Sequence, residues 1–302
     1  MALLNTFANN LLPILLLGGA GFALGKYLAV PPQPLGRAIF YIFGPLLVFN
    51  ILDQSQLSLA SITGMMAFAV AVMLVLAGMA YLAGRLMHLD GSALIIVVLT
   101  TMFANNGNYG LPLISFAFGP QALAYASVYY ASLSLVFYTL GVLIATSGQK
   151  RPSEALRGLL KVPAIYAILA AIVFNRTGWL LPTPLQRTVT LAASAAVPAM
   201  LVLLGLELSR VQWNRNLRAL SIPTAARLIV GPLFAWGLAT LTGLRGAARQ
   251  AGITEAGMPS AVMTTILAAE YDLEPSLITS VVFLTTIISP LTLTPLLYYL
   301  GK

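Results

Sequence analysis

Long apolar runs separated by short polar clusters organise this chain. Residues 57–84 carry no charged side chain, and such a run exceeds the roughly 20 residues a helix needs to cross a bilayer. Ten spans fit the pattern, at about 8–27, 35–52, 58–84, 92–119, 121–146, 162–174, 185–208, 217–244, 247–271 and 275–300. No stretch alternates apolar and polar positions as a membrane barrel strand would. The pattern predicts an all-α polytopic membrane protein whose main surroundings are the lipid bilayer.

The fourth span is interrupted. Ser92–Ala104 (SALIIVVLTTMFA) and Ile114–Gly119 (ISFAFG) are apolar, but Asn105–Leu113 between them reads NNGNYGLPL. Pro112 has no N–H to donate, and Gly107 and Gly110 loosen the backbone around it. A helix should break here and begin again near Leu111. Freed backbone groups at membrane depth are tolerated only where protein or a watery cavity covers them, so an interrupted span points to a binding site. Reading Asn105–Gly110 as an ordinary loop leaves 111–119 too short to span.

Composition narrows the class. The chain is 59% hydrophobic and 8% charged, against roughly 25% charged in soluble proteins. Its net charge of +8 lies in short loops between spans, which does not indicate a nucleic-acid partner. It has no Cys, so no disulfide or thiol chemistry, and its one His argues against a zinc site. No nucleotide loop, nucleophile elbow or HExxH run occurs. Neither an enzyme nor a cofactor is expected. The first run, MALLNTFANNLLPILLLGG, has no cation before it, so it reads as a retained span rather than a signal peptide.

The halves repeat. Pro34-Leu35-Gly36-Arg37 matches Pro184-Leu185-Gln186-Arg187 at an offset of 150, as Pro13 does Pro163. Gly110-Leu111-Pro112 matches Gly257-Met258-Pro259 at an offset of 147. Five spans per half make the repeats inverted. With ten spans, one side receives Lys26, Arg37, Arg85, Lys150, Arg151, Arg157, Lys161, Arg210, Arg215 and Arg218. The other receives Arg176, Arg187, Arg245, Arg249 and Lys302. The richer side is cytoplasmic, which puts both termini outside, in the cell inner (plasma) membrane.

The run NNGNYGLPL, the later EAGMPSAV (Glu255–Val262) and the ending SPLTLTPLL (Ser289–Leu297) resemble the auxin efflux carrier family, which includes plant PIN-type carriers and bacterial permeases for small carboxylates such as malonate and malate. The resemblance covers the whole chain. It implies a fold shared with bile acid/sodium symporters and sodium/proton antiporters, with broken fourth and ninth spans crossing at the substrate site. The first two spans of each half would form a scaffold, residues 1–57 and 162–210. The last three would form a moving transport unit, residues 58–149 with the broken helix 92–119, and 211–302 with the broken helix 247–271. Residues 150–161 would be a short cytoplasmic linker, unlike the long loop of the plant carriers.

If the two broken spans cross, new helix N-termini near Leu111 and Met258 meet there, each with about half a positive charge. They suit an anion. The candidate substrate-binding residues are Asn105, Asn106, Gly107, Asn108, Gly110 and Pro112 from the first half. From the second they are Thr254, Glu255, Gly257, Pro259 and Ser260. Each Asn could bind substrate or cap loose backbone. At the offset of 147, Asn108 falls on Glu255, which makes Glu255 a proton-coupling candidate. Arg227 lies nine residues past Arg218, about 13 Å deep. It either faces a cavity, as a second coupling candidate, or snorkels to the surface. Glu207 ends its span beside Ser209 and Arg210 and reads as a solvated or ion-paired end. Gly18, Gly19, Gly21 and Gly25 permit close helix approach, either within the chain or at a homodimer seam. The expected function is secondary transport of a small carboxylate by alternating access. A sodium-coupled organic-anion symporter or a cation/proton exchanger of the same fold is the alternative.

Overall fold

A computed structural model describes residues 1–145, 162–265, 267, 271 and 273–302. The linker cations Lys150, Arg151, Arg157 and Lys161 therefore lie outside the described residues. In chain order the main helices are α1 Ala2–Tyr27, α2 Pro32–Asp53, α3 Leu59–Leu86, α4 Gly91–Met102, α5 Asn106–Ala145, α6 Pro163–Thr177, α7 Thr183–Leu208, α8 Leu217–Leu241, α9 Gly246–Ala256 and α10 Pro275–Leu300. Among the described residues seven of these are long and apolar enough to cross a membrane, and α4 and α6 are shorter apolar helices. No strand occurs among the described residues, only one isolated antiparallel bridge between Ala104 and Ser260.

The helix starts follow local chemistry. The side chains of Ser58, Asp90 and Asn216 accept hydrogen bonds from the backbone N–H groups of Ser61, Ala93 and Ala219, at 3.0, 2.7 and 3.1 Å. Each satisfies a donor that the first turn leaves unpaired. Pro32, Pro163, Pro184 and Pro275 stand in first turns, where a missing N–H costs nothing. Within α5, Gly119 adopts φ 75°, ψ −165° ahead of Pro120. The chain turns there, which only glycine does without strain.

Prolines inside the helices have a second effect. Wide π turns at Phe7–Leu11, Ile39–Phe43, Asn106–Gly110 and Ala226–Val230 each end two residues before a proline: Pro13, Pro45, Pro112 and Pro232. A proline ring presses on the carbonyl four residues back, and in all four cases that carbonyl lies within the π turn. Widening the turn relieves the clash without ending the helix. Pro198, Pro290 and Pro295 stand inside α7 and α10 without such a turn.

The helices pack in two groups. α1 lies along α7, and α2 packs on α6 and α7. The second group is α3, α4, α5, α8, α9 and α10, with α9 packed on α5 and α8. Asn106–Gly110 of α5 also touches α7 of the first group. Large apolar residues such as Leu16, Leu191, Leu233 and Leu291 point outward, as a lipid-facing surface requires. The glycines of α1 face α7. A Cβ on Gly21 would overlap the Val202 carbonyl, and one on Gly25 the Ser209 side chain. Gly19 alone of that set has no atom within 4 Å of the added carbon, and Gly18 has only the Leu201 carbonyl at 3.9 Å. The small-residue face of α1 is thus an intramolecular seam.

Candidate functional site

Two chain interruptions meet in the second group. Helix α4 ends at Met102 and α5 begins at Asn106, so the first gap is Phe103–Asn105. The break lies at the N-terminal edge of the Asn105–Leu113 run. Asn106–Gly110 is coiled as the π turn that Pro112 demands, and it leads directly into regular α-helix at Leu111, where a new helix was expected. Helix α9 ends at Ala256, and regular helix is absent until Thr264. The gaps are tied to each other: the Asn105 N–H donates to the Pro259 carbonyl at 2.7 Å and the Ala261 N–H to the Phe103 carbonyl at 2.9 Å.

Asn106 and Glu255, 149 residues apart, face each other across this junction. The Asn106 amide donates to the Glu255 backbone carbonyl at 2.9 Å and also to its carboxylate Oε2. A β-carbon on Gly110 would lie 2.8 Å from the Glu255 carboxyl carbon. Gly110 is thus the residue that lets the carboxylate against the backbone. Gly107 plays the same part for the Tyr130 ring, at 2.8 Å.

Arg227 is fully buried and does not snorkel. It donates from Nε to the Met258 carbonyl at 3.0 Å, from Nη1 to the Thr101 carbonyl at 3.2 Å and from Nη2 to the Glu255 carbonyl at 3.4 Å. Those carbonyls belong to the last turns of α4 and α9 and the residues just beyond, where the helical pattern leaves acceptors unpaired.

The junction is dry of partners in an unusual way. Seven buried side-chain atoms among the described residues lack a hydrogen-bond partner, and six of them are here: Thr101 Oγ1, Asn105 Nδ2, Asn106 Oδ1, Thr254 Oγ1, Glu255 Oε1 and Ser260 Oγ. Buried polar groups are normally paired, and the unpaired ones among the described residues concentrate at this junction. The seventh is Glu207 Oε2. The residue itself is only partly buried.

The other sequence candidates scatter around this centre. Thr254, Gly257 and Ser260 are buried beside it, with the Ser260 N–H held by Thr285 Oγ1 at 3.1 Å. Asn108 is only partly buried, one turn into α5. Pro112 and Pro259 do not occupy matching places: Pro112 lies within α5, while Pro259 lies in the second gap and accepts from Asn105. An alanine at 259 would introduce a buried N–H that needs a partner, a cost of about 1–3 kcal/mol. Pro259→Ala is expected to depress transport more than Pro112→Ala, which only lets a π turn relax. Equal losses of flux in a vesicle assay would contradict this.

Sequence reasoning missed Thr101, Thr285 and Ser289. Thr101 sits in an apolar run that gives no signal. Ser289 begins the SPLTLTPLL motif, and its hydroxyl donates to the Tyr109 hydroxyl at 3.2 Å, so the motif itself could have pointed to it.

Comparison with known proteins agrees with this architecture. The family model described as "Membrane transport protein" matches residues 6–298. An "Uncharacterized transporter" of Methanothermobacter thermautotrophicus is 29% identical over 284 residues, 93% of each chain. A second archaeal transporter, from Methanocaldococcus jannaschii, is 29% identical over 265 residues, 84% of this chain and 85% of that one. Auxin efflux carrier component 6 of Arabidopsis thaliana is 30% identical over 157 residues, 47% of this chain and 26% of that one. With a lipid-facing apolar surface and two interrupted helices tied together inside, this chain is a multi-pass membrane protein, a transporter rather than an enzyme, and belongs to the membrane transport protein family that includes the auxin efflux carriers.

Proposed function

We propose that this transporter moves a small organic carboxylate by alternating access, with the junction of the two interrupted helices as its substrate site and Glu255 as its proton-carrying group. The observation that carries the reading is the cluster of unpartnered polar atoms beside Asn106 and Glu255. The N-terminus of α5 opens onto it, bringing about half a positive charge. Asn105 Nδ2 is a free amide donor there, and a carboxylate accepts hydrogen bonds only. The Asn106 amide already holds one carboxylate, that of Glu255. A substrate carboxylate would take its place.

Charge balance supports proton coupling. Arg227 offsets the two carbonyl ends, at about half a charge each. That leaves the N–H end of α5 against Glu255. A substrate anion would upset the balance unless Glu255 became neutral, so anion and proton would load together.

The proposal takes the junction as the crossing of the fourth and ninth of ten spans, in two inverted repeats. α5 then supplies the end of the fourth span and, past Gly119, the fifth. The packing groups support a scaffold of α1, α2, α6 and α7 and a moving unit of the remaining helices. Both termini would face out of the inner (plasma) membrane. Uptake of labelled mono- and dicarboxylates into proteoliposomes, at two pH values, tests the proposal. Asn106→Ala is expected to lower uptake of the accepted carboxylate by more than about tenfold, since a hydrogen bond to a charged group contributes about 1.5–3 kcal/mol. Asn108→Ala is expected to reduce uptake less, because Asn108 is only partly buried whereas Asn106 holds Glu255 directly. No carboxylate flux above protein-free liposomes would overturn the reading.

A further inference from the structure

We propose that the Arg227 guanidinium is a tethered cation: it fills the place between the carbonyl ends of α4 and α9 that a free monovalent cation would otherwise fill, and so makes transport independent of sodium or potassium. The inference deepens the transport reading and rests on it only where flux is measured.

The geometry is that of an ion in an oxygen cage. Three different nitrogens of one side chain reach three backbone carbonyls, those of Thr101, Glu255 and Met258, at 3.2, 3.4 and 3.0 Å. The three carbonyls come from both interrupted segments. Thr101 Oγ1 and Thr254 Oγ1, on residues of the same two helix ends, are buried and unpartnered. Backbone carbonyl oxygens gathered around one positive group are a ligand type that hard cations use. Each helix end also carries about half a negative charge. A positive charge belongs there, and this chain supplies it covalently.

Arg suits the role better than a free ion or a lysine. It keeps its charge across the physiological range, and its planar fork meets several acceptors in fixed directions. It also comes from a third element. The π turn Ala226–Val230 of α8 presents Arg227 to the junction, so the side chain pins α4 to α9 from outside both. With the carbonyl ends neutralised in this way, the N–H end of α5 is left free to attract an anion. The alkali cation expected of a sodium-coupled symporter would compete with a guanidinium that cannot leave.

The test uses Arg227→Ala and Arg227→Gln in the purified full-length chain, read by thermal unfolding in detergent and by uptake in proteoliposomes. Buffers contain only N-methylglucamine as cation, with sodium, potassium or low-millimolar guanidinium added back. Wild type is expected to show the same Tm and the same uptake with and without sodium. The variants should melt lower in N-methylglucamine and gain Tm saturably with guanidinium or an alkali ion. Their uptake should fall by more than about tenfold without a small cation and recover when one is added. Arg227→Lys should retain cation independence with reduced flux. A mere structural cap would give destabilised variants that no cation rescues, and that result overturns the inference. So does a saturable sodium-induced rise in wild-type Tm, which needs no variant to fold. If the wild type carries no carboxylate, the flux reading fails, while the Tm comparison still decides the role of Arg227.

Discussion

Glu255→Gln is expected to abolish concentrative uptake while leaving substrate binding within about threefold of wild type, a change of under 1 kcal/mol. Glutamine keeps the shape of the side chain and an acceptor for the Asn106 amide, but it cannot release a proton. An ionised Glu255 would hold the Asn106 amide, so the substrate anion would have to displace a like charge. A neutral Glu255 offers no such competition. Wild-type uptake should therefore rise as pH falls, and an inward proton gradient should drive accumulation. Fixing the side chain neutral removes both effects: the variant should bind its anion at every pH and only equilibrate it. The measurement is uptake from about pH 5 to about pH 8 with the membrane potential clamped, together with the accumulation ratio at a fixed proton gradient. A Gln variant with the wild-type profile would assign the coupling to another group.

The sequence made the outlines legible and the contacts not. Uncharged runs such as 57–84 announced α3, and the polar interruption NNGNYGLPL announced a break, because a bilayer leaves no other reason for Asn, Gly and Pro in mid-span. The position of the break was less readable. Pro112 looked like its cause, yet the structure meets the demand of Pro112 by widening Asn106–Gly110 into a π turn. The chain opens instead at Phe103–Asn105, where it pairs with Pro259 and Ala261. That pairing joins residues more than a hundred and fifty apart in the chain, as the bond from Asn105 to Pro259 shows, and no local pattern encodes it. The offset that matched Pro112 with Pro259 does not extend to their places, since one lies in a helix and the other in a gap. Arg227 was visible as a deep cation that would either face a cavity or snorkel to the surface. Its partners were invisible because all three are backbone carbonyls, which every residue has.

Gly205→Ala is expected to break the seam between α1 and α7, with the largest loss of stability of any single methyl addition in this protein. A Cβ at 205 would overlap the Gly18 carbonyl oxygen and crowd the Phe22 backbone N–H. From the other side, a Cβ at Gly21 would overlap the Val202 carbonyl. The two helices touch backbone to backbone, as small residues allow in membranes, where close packing rather than water exclusion drives association. A flexible side chain could swing away from a new methyl group, but a main chain cannot. The helices must separate, and the contacts along both lose their partners. Overpacking costs about 1–3 kcal/mol where side chains can adjust, so the loss here should reach or exceed the upper figure. Gly19→Ala is the control: nothing lies within 4 Å of its added carbon, and alanine is the better helix former by up to about 1 kcal/mol. Its Tm should hold or rise while that of Gly205→Ala falls or the protein fails to assemble. Thermal unfolding and light-scattering mass in detergent report both outcomes. A Gly19→Ala variant that lost mass by half would place a homodimer contact on that face of α1, and a Gly205→Ala variant with the wild-type Tm would refute the backbone seam.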